Sequence, residues 1–337
     1  MIRRLTLALA ALGVIAAAPV SAAELNIYSA RHYQTDDALY DAFTKETGIK
    51  VNRIEAKEEE LLERIRNEGE NSPADVFMTV SISRLANIEE LGILAPLDSE
   101  IIKERIPAHL RGDTWAAFTQ RARVIVYNKE RIKPEQVQTY ASLADPALKG
   151  QVCTRSGMHP YNLSLGAAML THEGAEKTEA WAKGLVANFA RAPKGGDTDQ
   201  IKSVAAGECG VALTNSYYFA RMMNSDKAED QQVVEAVGFI WPDQAGHGTH
   251  INVSGAGILK GAKNAAEART FLEYLTTDAA QQHFAGRNNE WPTVPTVEID
   301  NATLARFGKF KADQLPAEVL GKRAAETQKL LDEVGYR

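Results

Sequence analysis

Two adjacent tyrosines close the run Thr214-Asn215-Ser216-Tyr217-Tyr218, directly after the strand-like Gly210-Val211-Ala212-Leu213. Near the start of the chain a second strand pattern, Leu25-Asn26-Ile27-Tyr28, runs into Ser29-Ala30-Arg31-His32-Tyr33. Two strand ends far apart in sequence thus each deliver phenols or an imidazole to a loop. Phenolate oxygen is a hard donor, and ferric iron is the hard metal ion that favours it. The competing reading is structural: tyrosines at strand ends also serve as packing and hydrogen-bonding aromatics. What surrounds them decides between the two.

The first residues read as an export signal. Met1-Ile2-Arg3-Arg4 is a basic start, Leu5 to Val20 is apolar and alanine-rich, and Val20-Ser21-Ala22 or Ser21-Ala22-Ala23 fits a small-residue cleavage site. The apolar stretch is short for a membrane span, which needs about 20 residues, and no later segment is apolar enough. A retained amphipathic anchor is the alternative. No lipobox cysteine is present, so a free protein in the periplasm is expected. Removing Arg3 and Arg4 takes the formal charge from -6 to -8, with 36 basic against 44 acidic residues. The charges are mixed along the chain without a basic stripe, which leaves nucleic-acid binding unsupported and speaks mainly to solubility.

The length of 337 residues exceeds one typical domain and calls for two lobes. The only cysteines are Cys153 and Cys209. In an oxidising compartment they suggest one disulfide, with a pair of buried free thiols as the alternative. Each adjoins a strand pattern in the middle third of the chain, so one lobe could hold both.

The elements that must position the tyrosines alternate. Strands are expected at Leu25–Tyr28, Lys50–Ile54 and Ala74–Met78, with helices at Asp36–Thr47, ended by Gly48, and at Glu58–Glu68. The acidic start Glu58-Glu59-Glu60 reads as a solvated first turn, where carboxylates suit the helix dipole. Strand, helix, strand, helix, strand is an α/β unit with a largely parallel sheet. Arg121–Tyr127 is a β-rich run suited to cross into a second lobe. That lobe continues through Val152, helices near Leu163–Thr171 and Ala175–Asn188, and the strand ending at Leu213. A second β-rich run, Gly248–Ile258, would carry the chain back. A helix at Ala265–Thr276 follows, with Asn264 placed to cap it.

In these segments, and in Cys153-Thr154-Arg155-Ser156, Tyr161-Asn162, Ala205-Ala206-Gly207-Glu208-Cys209 and Asn288-Asn289-Glu290-Trp291-Pro292, the chain resembles the periplasmic ferric-iron-binding proteins of ABC importers, from Leu25 to about Tyr336. Their shared order and spacing carry the resemblance. It implies an α/β fold of two lobes with two β crossovers, of the type II-like periplasmic binding protein class, and a ligand cleft between the lobes. The expected layout is a signal peptide at 1–23, one lobe from 24–122 and 255–310, the other from 123–254, and a C-terminal helical segment at 311–337. The resemblance places the metal ligands at His32, Tyr33, Tyr161, Tyr217 and Tyr218. Branches of the family differ in whether the histidine coordinates and whether carbonate or another synergistic anion binds; Arg121 or Arg123 would hold such an anion, and salt bridging is the alternative for both. The implied function is capture of Fe(III) and delivery to an inner-membrane ABC permease by a monomer.

The sequence also departs from the family. The loop before the middle helix reads Ser156-Gly157-Met158-His159-Pro160-Tyr161-Asn162-Leu163, with Leu163 in place of a polar residue, and Ser81-Ile82-Ser83-Arg84-Leu85 lacks the acid often found there. The tyrosines survive both changes. The remaining histidines, His109, His159, His172, His247, His250 and His283, read as surface or packing residues, with His159 and His250 set in functional-looking segments. Two other classes compete. A binding protein of the same fold could take an organic solute such as a polyamine, phosphonate or sugar, with the tyrosines as a cation cage or stacking platform. An enzyme is not expected, for Gly-x-Ser-x-Gly, a Walker loop and His-Glu-x-x-His are all missing.

Overall fold

A computed structural model of the chain describes residues 23–31 and 33–337. Residues 1–22, all but the last of the signal peptide expected at 1–23, and His32 lie outside the described residues. The strands are β1 Glu24–Ser29, β2 Lys50–Glu55, β3 Val76–Thr79, β4 Trp115–Asn128, β5 Val152–Cys153, β6 Val211–Asn215, β7 Val237–Ile240, β8 Ile251–Ile258 and β9 Trp291–Pro292. The helices are α1 Asp37–Thr47, α2 Glu58–Glu68, α3 Ile82–Glu90, α4 Glu100–Arg105, α5 Pro160–Glu173, α6 Ala175–Ala187, α7 Asp197–Ala205, α8 Ser216–Met223, α9 Ala228–Ala236, α10 Ala265–Tyr274, α11 Asp278–Asn288, α12 Ala302–Phe307 and α13 Ala317–Glu333.

The sheet order is β2-β1-β3-β8-β4-β6-β5, with β7 and β9 also paired to β4. The parallel sheet expected of the strand-helix-strand-helix-strand unit holds in β2-β1-β3, and β5-β6 is parallel as well. Every pairing of β4 and β8 is antiparallel. The two long strands leave one lobe and return, so they necessarily run in opposite directions.

β4 does the work of two strands. Its first half, Trp115–Ala122, pairs with β8, and its second half, Arg123–Tyr127, pairs with β6. Close approach of β4 and β8 requires glycine: a Cβ on Gly255 would lie 2.6 Å from the Ala116 carbonyl oxygen. Around the first half one apolar core gathers β1, β3, α1, α10 and α11 through Leu25, Ile27, Phe43, Phe77, Phe271 and Phe284. Around the second half lie two groups of apolar residues, one centred on Ile125, Leu165, Trp181 and Leu213, the other on Val126, Ile201, Phe219 and Met222. These are the two lobes that the α/β reading required.

Local signals explain most element ends. α1 stops at Gly48, whose φ of 74° is left-handed. Pro160 opens α5 at the position where its missing N–H costs nothing. Cys153 and Cys209 form a disulfide, both residues fully buried, with Cα atoms 5.8 Å apart. Two local expectations need correction. Asn264 occupies the N-cap position of α10 but its side chain makes no capping bond; its Nδ2 donates to Asp75 Oδ2 at 3.0 Å. Glu58 is not solvated: it is buried, accepts from Thr79, and pairs with Arg84 at 3.1 Å, while Glu59 and Glu60 remain exposed. The final helix α13 packs on α3 and on α5. Leu320 enters the first core and Leu331 and Tyr336 the second. Among the described residues no helix is long and apolar enough to cross a membrane.

Candidate metal centre

Three segments bring the tyrosines together. Tyr33 follows β1 and precedes a short helical turn at Gln34–Asp36. Tyr161 is the second residue of α5. Tyr217 and Tyr218 stand in the first turn of α8, directly after β6. Arg123 on β4 registers with Asn215 at the end of β6, which sets α8 against the point where β4 passes between the cores.

The phenol oxygens converge. Tyr33 Oη lies 3.5 Å from Tyr217 Oη, and Tyr161 Oη lies 3.5 Å from the same atom. The rings of Tyr217 and Tyr218 are 4.1 Å apart. Tyr161 and Tyr217 are buried, whereas Tyr33 and Tyr218 are half-buried. Burial is the largest cause raising the phenols of Tyr33, Tyr217 and Tyr218 above the ordinary tyrosine value, and neighbouring phenols add to it. Arg121 opposes this at Tyr33 and Tyr217. The protein therefore gathers acceptor-capable oxygens, and burial makes those of Tyr33, Tyr217 and Tyr218 hard to ionise alone. A metal ion beside such oxygens displaces their protons and shifts that balance.

Around the phenols sits a buried charge network. Arg31 and Arg121 both reach Glu290, at 2.9 and 3.1 Å, and both donate to Ser254 Oγ. Arg31 also forks onto Asp36 and lies over the Tyr33 ring, 4.4 Å from its centroid. Arg121 Nη2 donates to the Val80 carbonyl at 2.7 Å, and its Nε has no partner. Arg123 joins a different network: it bonds Asp197 at 2.7 Å, Asn215 and Asn162. Asp197 also pairs with Arg155, whose guanidinium lies over the Tyr161 ring at 5.3 Å.

Of the sequence-derived candidates, the structure brings together Tyr33, Tyr161, Tyr217, Tyr218 and Arg121, and sets Arg123 in the neighbouring network. His159 takes a structural position here. Its Nδ1 accepts from the Tyr161 N–H at 3.3 Å and its ring packs edge-on to Tyr161. Burial and the nearby Arg155 push it down to about 3, so it stays neutral and able to accept. Glu290, Arg31, Asp36 and Asp197 were not singled out by sequence. Arg31 and Glu290 lie inside segments that carry the family resemblance, but a lone charge gives no local sign of its partner. Among the described residues no group of three or more His, Cys, Asp or Glu side chains is arranged to hold a metal ion.

Residues 28–282 match the model of the bacterial extracellular solute-binding protein family. The chain is 47% identical over 325 residues to iron uptake protein A1 of Synechocystis sp., covering 96% of this chain and 90% of that protein. A Trichodesmium protein solved in complex with iron and citrate ligands superposes with a TM-score of 0.89 at 50% identity, covering 93% of this chain and all of that one. The ferric binding protein from Campylobacter jejuni superposes at 0.87 and 42% identity, again over 93% of this chain and all of that one. The chain belongs to the bacterial extracellular solute-binding protein family, in the company of members named for the uptake and binding of iron.

Proposed function

We propose that this protein captures ferric iron between its two lobes through the phenolate oxygens of Tyr33, Tyr161, Tyr217 and Tyr218, and delivers it to an ABC permease from the periplasm. The observation that carries the reading is the convergence of three phenol oxygens, from Tyr33 on one lobe and from Tyr161 and Tyr217 on the other, at 3.5 Å separations. His32 adjoins Tyr33 in sequence and is a fifth candidate donor. The lobes follow the division 24–122 with 255–310, and 123–254.

The charge count supports a trivalent ion. Three phenolates neutralise Fe(III), and a fourth leaves one negative charge. The two arginines at the site are balanced by Asp36 and Glu290. Uptake of iron displaces phenol protons, so loading acidifies an unbuffered solution. Both tyrosine-bearing helices, α5 and α8, offer their N-terminal ends, whose partial positive charge favours the phenolates. Arg121 is the better placed partner for a synergistic anion, because it faces the tyrosines, whereas Arg123 is engaged with Asp197, Asn215 and Asn162. The organic-cation reading has less support, since Asp36 and Glu290 are already paired with arginines.

The test is metal analysis and a visible spectrum of the purified protein. Phenolate-to-Fe(III) charge transfer produces a coloured complex; a colourless iron complex, or no iron uptake, would overturn the reading. Titration with and without carbonate or citrate decides whether an anion completes the site.

A further inference from the structure

Asn288, Asn289 and Glu290 are consecutive, yet their side chains tie three separate parts of the molecule. Asn288 Nδ2 donates to Asp36 Oδ1 at 2.7 Å, and its Oδ1 accepts from Thr35, both in the turn that follows Tyr33. Glu290 sits between Arg31 and Arg121. Asn289 Oδ1 accepts from Asn224 Nδ2 at 3.1 Å and from Asn301 Nδ2 at 3.0 Å. Asn224 ends α8, the helix whose first turn carries Tyr217 and Tyr218, and its Oδ1 accepts from Thr303.

These contacts cross between the cores. α11 packs into the first through Ala280 and Phe284, and β9 extends the same sheet half by pairing with Thr119 and Gln120. α8 packs into the second through Phe219 and Met222. Asn289 holds φ at 56°, a left-handed conformation that asparagine tolerates better than other side-chain-bearing residues. That backbone turn ends α11 and aims the amide at α8.

We propose that Asn289 and Asn224 form an interlobe latch that positions α8, and with it Tyr217 and Tyr218, against Tyr33 when iron is bound. The proposal rests on the tyrosines being the iron donors. Bonds made only with the lobes together stabilise the closed state over the open one. They lengthen the lifetime of the iron complex without touching the metal. Asn289 is buried whereas Asn224 is exposed, so the latch lies at the rim and its effect is modest.

The experiment loads full-length mature protein with ferric iron, adds excess EDTA, and follows decay of the visible band by stopped flow. Asn289→Gly keeps the left-handed backbone and removes the amide; Asn224→Ala removes the other partner. Each single variant is expected to release iron about fivefold faster, the scale of one net hydrogen bond. Each variant also loses a bond of its own, from Asn301 or from Thr303, so the double variant should be faster than either single one but slower than two independent effects would multiply to, because both delete the Asn224–Asn289 contact. The band position should stay at its wild-type value. Wild-type release rates in the variants, or effects that multiply fully in the double variant, would overturn the latch alone. A wild-type complex without the band would overturn the tyrosine reading and the latch with it.

Discussion

The tyrosine cluster and the histidine cluster of this protein both gather aromatic rings with metal-capable atoms, but those atoms differ in what they already touch. His172 Nε2 lies 2.8 Å from Asp313 Oδ2, and the His172 ring stacks 3.7 Å from His247. His250 Nε2 bonds Ser164 Oγ at 2.9 Å. Together they line a cavity of about 370 Å³ with Tyr140, Trp181 and Asp243. The phenols of Tyr33, Tyr161 and Tyr217 instead meet one another at 3.5 Å, long for an O–H···O bond. Partner saturation, more than residue type, separates a structural cluster from one prepared for a ligand. A histidine already bonded to a carboxylate or hydroxyl has its role; under the proposed function the phenols of Tyr161 and Tyr217, whose mutual approach is long for a hydrogen bond, take a cation.

The sharpest way to break this contrast is the Tyr217→Phe/Tyr218→Phe double variant. Ring packing is kept and only two oxygens are removed. Iron affinity should fall by at least about 100-fold, the upper end of what even an outer-shell partner of a metal is worth, and the visible band should bleach. A loss near the ~1 kcal/mol of an ordinary hydrogen bond would place the tyrosines with the histidines as structural residues.

Sulfur supplies the next test, since Cys153 and Cys209 are the extreme case of saturation, each bonded to the other. Cys153→Ser/Cys209→Ser opens a loop whose ends are 56 residues apart. Denaturant unfolding should show a loss on the order of 4 kcal/mol in the chain-entropy account. The band of the iron complex should keep its position. A shift in that band would tie the sulfurs to the site.

His250 tests saturation through pH. Burial is the largest cause holding it down to about 4 in the folded protein. In the unfolded chain it titrates near ~6.5. Between these values the unfolded chain binds a proton that the folded one excludes, so stability falls as pH drops from about 6.5 toward 4. The full loss is about 3 kcal/mol. Melting curves of wild type and His250→Asn across that window measure it: the variant should show a flatter profile, and parallel profiles would remove His250 as the cause.

The smallest effect is expected at His172→Ala. Losing one bond to Asp313 on a partly exposed edge should cost about 1 kcal/mol in the iron-free protein and leave iron release unchanged. Faster release would bring the histidine cluster into the iron cycle.

Much of this arrangement is legible locally. The amphipathic period of Glu58–Glu68 marks α2 at both ends, Gly48 stops α1, and the β-rich runs at 121–127 and 248–258 find the two long strands. The tandem tyrosines stand out because two phenols follow a strand without a break. What stays hidden depends on partners distant in sequence. Glu58 is buried because Thr79 and Arg84 fold onto it. Asn264 gives its side chain to Asp75, 189 residues away, in place of its own helix. Glu290 gains its meaning from Arg31 and Arg121, 259 and 169 residues earlier. Periodicity reports which face of an element is apolar, but not which polar group on another element will meet it.

The placement of α13 constrains how the molecule opens. Two strands, β4 and β8, join the lobes like parallel cords of a hinge, and a pair of cords alone tolerates both bending and twisting. α13 adds a brace fastened at both ends: Leu320 is set in one core and Leu331 and Tyr336 in the other, and Gly166 of α5 lies so near α13 that a Cβ there would come within 2.6 Å of Thr327. A brace of fixed length shortens the list of allowed motions. Rotation about a line near α13 leaves its packing intact, while any rotation about a distant line must tear the helix from α3 or from α5. The jaws of the cleft are thereby given an axle on the side where α13 lies, and the swing available to the tyrosines of one lobe relative to Tyr33 is set by a helix that holds none of them.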